Sequence, residues 1–430
     1  MQRLCFRVIL LHNSEKMRAN PLRLFLVMCF ALCLSAPSGA EEAGVLTLDE
    51  AIATALGENP GMTAADASVE ISESLVRSAN SAWYPEIYTR LVFPFIGRES
   101  GFFLDQMIWD FGRTSNRVKS SKAQLRSTRF DSETAREDLI LDTTVSYYSV
   151  LSWQHAAEAR AKKVREFEAR LERAQGFFDA GRAGKADVTK AMVDLGNARL
   201  ELNTAENELE AAKQGLLDAM GVDGGFNYTL VDDPTYDKVE MNIEKSIDTA
   251  LANRPELKSL KAKEAAMNAD LSAARKEYFP VIFGRTAYRF KGEGAETPGF
   301  IAGIGLELNI FDGFKKNAGI QNARAQLRRS RAELETKRTE VESEIRKLHR
   351  DLSLAEKNIS VTEETRRSSE ETLALARERY RLERASDVEL AEAEALYSNA
   401  NAAYLQAIYD YRITAAKLER AISGGGDLDQ

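Results

Sequence analysis

The stretch Phe300-Ile301-Ala302-Gly303-Ile304-Gly305-Leu306-Glu307-Leu308-Asn309-Ile310 alternates with a period of two. In an extended chain Phe300, Ala302, Ile304, Leu306, Leu308 and Ile310 share one greasy side, and Gly303, Gly305, Glu307 and Asn309 share the other with Ile301. A soluble sheet packed on a core gives the same alternation, but neighbouring sequence must then supply its cover, and the adjoining segment from Phe314 onward is long, charged and helical in pattern. Strands of about ten residues, with Phe102, Phe103, Trp109, Phe290, Phe300 and Phe311 near their ends, fit a transmembrane β-barrel better. An earlier segment repeats the pattern. Ile87, Thr89, Leu91, Phe93 and Phe95 alternate, Gly97 and Gly101 mark a turn, and Phe102 to Ile108 alternates again, which reads as a hairpin.

Working outward, the chain says nearly the same thing twice. Ala51-Ile52-Ala53-Thr54-Ala55-Leu56 before Pro60 returns as Ser246-Ile247-Asp248-Thr249-Ala250-Leu251 before Pro255, and Tyr84-Pro85 returns as Phe279-Pro280. Trp109-Asp110-Phe111-Gly112 is echoed by Phe311-Asp312-Gly313, and Ala186-Asp187-Val188 by Ser386-Asp387-Val388. Landmarks recurring in order mean that one structural unit was duplicated. The first repeat is placed at 41–220 and the second at 246–423, with hairpins at about 86–110 and 281–311, a linker at 221–245 and a flexible tail at 424–430.

The first forty residues read as a signal peptide. Arg18 and Arg23 precede the apolar run Leu24 to Leu34, which is too short to span a bilayer, and Ser38-Gly39-Ala40 supplies the small residues of a cleavage site. Met17 is a second candidate start. Cys5, Cys29 and Cys33 all fall in this segment, so the mature chain is expected to have neither thiol nor disulfide. Removing its five basic side chains (Arg3, Arg7, Lys16, Arg18, Arg23) and one acid (Glu15) takes the formal charge from −8 to −12. An exported acidic chain is a poor nucleic-acid binder.

Each repeat opens on a helix; in the first, Thr47 and Glu50 form a capping box and helical spacing runs to Trp83, where Pro85 stops it. From Arg113 to about Phe178, and from Phe314 to about Leu382, proline is absent and glycine rare, which predicts helices of roughly 100 Å. Val341, Ile345, Leu348, Leu352, Ala355 and Ile359 keep coiled-coil spacing, and Leu141, Val145 and Tyr148 do so briefly. Short loops then return alanine-rich helices, giving helical hairpins at about 113–220 and 314–422. A short strand is expected near Tyr228 to Val231.

The opening Leu46-Thr47-Leu48-Asp49-Glu50-Ala51-Ile52 with Asn59-Pro60, the Tyr84-Pro85 before a hairpin, the Trp109-Asp110-Phe111-Gly112 after it and the duplication resemble the TolC-type outer-membrane efflux proteins. The resemblance covers essentially the whole mature chain. It implies a homotrimer in the outer membrane of a double-membraned bacterium, with a shared 12-stranded β-barrel, a periplasmic α-barrel of long antiparallel coiled-coil helices, and a large periplasmic part. It implies a passive exit duct joined to a periplasmic adaptor (membrane fusion) protein and an inner-membrane pump, in efflux or type I secretion. Four strands per chain agree with such sharing, since they cannot close a membrane barrel alone. A soluble periplasmic coiled-coil scaffold, or the adaptor itself, is the competing reading.

The resemblance places the periplasmic gate and tip at Asp187, Asp387, Arg182, Arg384 and Tyr380, an adaptor contact at Gly181 and Ala180, and the membrane-facing strand at Phe300, Ile304, Leu306, Leu308 and Ile310. Asp187 and Asp387 are expected to be helix N-caps, with Arg182 or Arg384 as bridging partners. With Asp387 matched to Asp187, the second tip is two residues shorter (Tyr380 to Asp387 against Phe178 to Asp187) and carries Leu382-Glu383 where glycine is expected. Leu390 stands where some members carry a second acid, against two stacked carboxylate rings. Trp83, Tyr84, Tyr278 and Phe279 suit an aromatic interfacial anchor. Gly184-Lys185 lacks the rest of a phosphate loop. His155 and His349 are expected on solvated helix faces, no metal-ligand or nucleophile constellation assembles, and neither cofactor nor enzymatic activity is expected.

Overall fold

The computed structural model describes residues 44–91, 100–236, 238, 242–290 and 299–423. The expected signal segment with its cysteines, the strand residues Phe93 and Phe95, the turn glycine Gly97 and the tail 424–430 lie outside them. The described residues divide into a small unit, Gly44 with Asn227–Thr229, and a large unit holding the rest. β1 (Gly44–Leu46) and β4 (Tyr228–Leu230) make a two-stranded ribbon. All other elements belong to the large unit.

Thr47 caps α1 (Leu48–Glu58) as expected: its backbone N–H donates to Glu50 Oε2 at 2.9 Å and its hydroxyl accepts from Glu50 N at 3.3 Å. The expected continuous helix to Trp83 is instead broken at Asn59-Pro60, and α2 (Pro60–Ser81) restarts with proline at its first position. Proline has no N–H for the preceding helix, and the Asn59 side chain caps the next one by accepting from Gly61 N at 2.7 Å. The second repeat breaks alike between α5 (Ile243–Asn253) and α6 (Pro255–Arg275), with Arg254 at the junction.

β2 (Glu86–Arg90) and β3 (Gly101–Trp109) pair as a hairpin, as do β5 (Val281–Arg289) and β6 (Gly299–Glu307). The two hairpins join through β3 and β5 into one antiparallel sheet of order β2-β3-β5-β6.

The long helices are α3 (Arg113–Asp179) and α7 (Lys315–Arg381), each of 67 residues, or roughly 100 Å of helix. Both start from the same turn: the Asp110 carboxylate accepts from Thr114 N at 2.5 Å and Asp312 from Lys316 N at 3.1 Å. The next two residues are left-handed in each copy, Phe111 and Gly112, then Gly313 and Phe314. The return helices are α4 (Lys185–Met220) and α8 (Asp387–Ser423). Lys163 pairs with Glu201 and Glu168 with Arg199, so partners descend on one helix as they ascend on the other, and the hairpin is antiparallel. A constant separation of 202 positions relates the two hairpins (113 to 315, 179 to 381, 185 to 387).

The predicted stripe on α7 is buried: Val341, Ile345 and Ile359 are fully enclosed, Leu352 and Ala355 nearly so, and Leu348 partly, against Ile247, Leu257, Ile408 and Leu418. In α3 the stripe differs from the expectation. Tyr148 is buried while Leu141 and Val145 are half-exposed, and Thr143, Thr144, Tyr147, Val150 and Leu151 are buried as well. The physical reason is that α3 is packed by α4, α6 and α8, which demands a broader face than one seam.

The end of α4 is pinned to the α1–α2 break. The Asn59 amide donates to Ala219 O at 2.9 Å, and Gly221 turns away with φ +70° so close that a Cβ would lie 2.6 Å from Asn59 Cα. Gly221→Ala is therefore expected to lower stability by more than about 1 kcal/mol. Gly215→Ala, in open space within α4, is expected to be neutral or stabilising. Denaturant unfolding of the two variants checks the contrast.

Candidate functional site

Residues paired across neighbouring strands lie on the same face of the sheet. The register therefore sorts the side chains: Phe300, Ala302, Ile304 and Leu306 share a face with Ile282, Thr286 and Tyr288, with Phe102, Leu104 and Gln106, and with Ile87 and Thr89. This face is mostly apolar and open, with Phe300 71%, Ile304 79% and Leu306 64% exposed. Leu308 and Ile310, expected on the same strand, lie past its end at Glu307; both are exposed, but neither is in the ladder. The opposite face carries the charged groups, interleaved with Phe103, Met107, Phe283 and Ile301. Arg285 donates to both Asp105 oxygens at 2.7 and 2.8 Å, and Tyr88 donates to Asp105 at 3.2 Å. Tyr88 and Phe103 stack at 5.3 Å beneath the Arg90 guanidinium. β2 and β6 each have a strand on one side only, leaving their outer backbone groups without a ladder partner among the described residues. Trp83, Tyr84, Tyr278 and Phe279 are exposed where the helices meet this sheet.

The tips correct the sequence expectation. Leu382 N donates to Glu378 O, Glu383 N to Tyr380 O and Arg384 N to Arg379 O, and the bonds Ala180 to Gly176, Gly181 to Phe178 and Arg182 to Phe177 are the same set 202 positions earlier. The second tip is thus not shortened. Both loops are five residues, 180–184 and 382–386, and Glu383 (φ 57°) takes the left-handed place of Gly181 (φ 70°). The counterpart of Asp187 is Glu389, not Asp387. Neither aspartate is an N-cap: Asp187 sits in the first turn and its carboxylate accepts from Gly184 N at 3.1 Å, while Ser386 precedes α8 and its hydroxyl accepts from Glu389 N at 3.3 Å.

Asp387 instead accepts from the Tyr380 phenol at 2.6 Å, and Arg379 pairs with Glu389 at 2.5 Å. Arg182 and Arg384 bridge no carboxylate among the described residues of one chain. The fastening falls to two arginines that sequence reading missed. Arg173 donates to Ser386 Oγ at 2.9 Å, and Arg170 spans Glu166 at 2.6 Å and Glu392 at 3.1 Å, so α3 of the first repeat is tied to α8 of the second. Ala180 and Gly181 are exposed at the first tip beside half-exposed Phe177 and Phe178.

Midway along the helices, the expected linker is fastened rather than free. Asp232 accepts from Tyr409 at 2.6 Å and lies 2.8 Å from His155 Nε2, whose ring stacks on Tyr409; Arg412 bonds Thr235 and, at 2.9 Å, Tyr148. Burial, and then Asp232, push the Tyr409 phenol well above its ordinary range. His155 and His349 are accordingly not on solvated faces: the first is four-fifths buried, and His349 meets Ser246 Oγ at 3.3 Å, with burial lowering its pKa. Among the described residues no group of His, Cys, Asp or Glu is arranged to hold a metal ion, and no helix is long and apolar enough to cross a membrane.

A second buried network joins α3, α6, α7 and α8. Arg254, 1% exposed, contacts Glu256 at 3.3 Å and Glu344 at 2.7 Å, and Arg420 bridges Glu256 at 2.9 Å and Asp138 at 2.5 Å. Glu137 is buried beside them; burial first, then the Glu256 charge, raises its pKa to about 7. An acid whose folded pKa lies above its unfolded value of 4.5 binds a proton only in the folded state between the two, so stability falls as pH rises from about 4.5 to 7. Glu137→Gln is expected to flatten that part of the profile of unfolding midpoint against pH; an unaltered slope would reject the assignment.

Comparison with protein families matches the outer membrane efflux protein family at residues 97–222 and 246–424. Protein CyaE of Bordetella pertussis is 23% identical over 312 residues, covering 68% of this chain and 66% of that protein. The outer membrane efflux protein BepC of Brucella suis is 23% identical over 303 residues, covering 65% and 64%. The chain thus spans slightly under two thirds of the length of these curated relatives. Among solved structures, the Campylobacter jejuni CmeC outer membrane channel is similar in fold, with a TM-score of 0.74 at 18% identity over 89% of this chain and 87% of that one.

Proposed function

This chain belongs to the outer membrane efflux protein family, and from that premise we propose that it is an outer-membrane channel, a passive exit duct for an efflux or type I secretion system. The observation that carries the reading is the four-stranded sheet with an open apolar face and two unpaired edges. A sheet edge in hydrocarbon leaves backbone groups unbonded at several kcal/mol each, so neighbouring copies must complete a closed barrel. Three copies give twelve strands. A second feature supports assembly along the helices: Leu354, Val361 and Leu375 stand exposed on α7 at multiples of seven residues, as do Val193 and Leu200 on α4. The soluble-scaffold alternative requires protein to cover Phe300, Ile304 and Leu306, and no described element does so.

In this reading the helices occupy the periplasm and the two tips form its gated end, held shut by Arg173–Ser386 and Arg170–Glu392, with Tyr380–Asp387 bracing the second tip. Exposed pairs of this kind are individually weak, which suits a closure that must open. Partners are a periplasmic adaptor at Ala180 and Gly181 and an inner-membrane pump.

Two measurements test the proposal. The purified protein is expected to stay in membranes through carbonate washing, to have three times the chain mass in detergent, and to form pores in planar bilayers; a water-soluble monomer would overturn the channel reading. Tyr380→Phe combined with Arg173→Ala is expected to raise single-channel conductance, and unchanged conductance would remove those residues from the gate.

A further inference from the structure

The polar face of the sheet carries its charges by height. At the rung farthest from the helices, Arg90, Gly101, Arg289 and Gly299 are successive register partners, so two guanidinium groups are flanked by two glycines. Arg90 is held over the Phe103 ring at 5.6 Å and the Tyr88 ring at 5.9 Å, and the Arg289 Nε is buried without a hydrogen-bond partner. Neither arginine pairs with a carboxylate among the described residues. Two rungs closer to the helices the partners are Glu86, Asp105, Arg285 and Gly303. There Arg285 neutralises Asp105, leaving the Glu86 charge unpaired within its rung. Glu307 ends the same face at the helix side, opposite Val281. Among the described residues the face therefore runs from net positive at the turn end to net negative at the helix end.

Resting on the barrel reading above, we propose that Arg90 and Arg289 set the charge preference of the barrel. With the apolar face toward lipid, this polar face lines the lumen, and three copies place six guanidinium groups around its outer rung. Rings of arginine favour anions in a pore, as rings of carboxylate favour cations. The outer end of the duct thus attracts anionic solutes, while Glu86 and Glu307 impose the opposite preference nearer the helices. The ring acts through space, so its influence follows the Debye length, about 10 Å at 0.1 M salt and about 3 Å at 1 M.

The test is the reversal potential of the full-length trimer in planar bilayers under a potassium chloride gradient. Arg90→Gln with Arg289→Gln is expected to move it toward cation preference at 0.1 M, with the shift lost at 1 M. Arg90→Lys with Arg289→Lys keeps the charge and is expected to keep the wild-type value, while Glu86→Gln with Glu307→Gln is expected to move it the other way. If the glutamine pair fails to assemble, Arg90→Cys is read before and after reaction with a cationic thiol reagent, which is expected to restore the original value. Normal pores with an unchanged reversal potential at 0.1 M in the glutamine pair, or in Arg90→Cys before and after the reagent, would overturn the assignment. Failure of the barrel reading looks different, since the wild-type protein would then form no pore.

Discussion

A β-sheet cannot end in hydrocarbon, and the channel proposed for this chain rests on that constraint. Among the described residues the sheet stops at β2 and β6, with an open greasy face and outer backbone groups that have no ladder partner. In the proposed assembly the requirement reaches into the helices, because each pair of strands is followed by a turn that launches a helix of 67 residues. The exposed seven-residue apolar spacing on α7 and α4 is what such neighbours would need.

Duplication supplied the strands economically but left the copies free to diverge where geometry allowed. The helical hairpins keep one register throughout, down to the three backbone hydrogen bonds that close each tip. The side chains do not. The left-handed tip position is glycine in one copy and glutamate in the other, and the aromatic pair Phe177-Phe178 is replaced by Arg379-Tyr380. At the helix break, Asn59 caps the next helix while Arg254 is buried in an ionic network. Backbone constraint is thus shared, while the side chains that meet it differ between the copies.

Much of the fold was legible because it rests on local rules. The capping box at Thr47, the period-two strands and the proline-free helices all follow from residues close in sequence. Asn59-Pro60 was legible too, but helical spacing on both sides masked the missing proline N–H. The tip was misread because Asp187-Val188 and Asp387-Val388 look alike, whereas the backbone aligns Asp187 with Glu389. The ties of Arg170 to Glu392, Arg173 to Ser386 and Arg420 to Glu256 had no local signature, since those partners lie on helices far away in sequence. The histidines were misjudged for the same reason: nothing near His155 in sequence announces Asp232 and Tyr409.

The strength of the interactions is graded along the helices, and the grading has a mechanical consequence. Near their middle, Arg254 and Tyr409 are buried, so breaking their bonds would leave a desolvated guanidinium and a desolvated phenol without those partners. At the tips the bonds between α3 and α8 are exposed and individually weak. Any force that separates the two helical hairpins must therefore part them from the tip upward and stop at the buried belt. In the proposed channel the sheet keeps its register while the far end moves, because the strand pairing and the tip contacts act at opposite ends of the same helices.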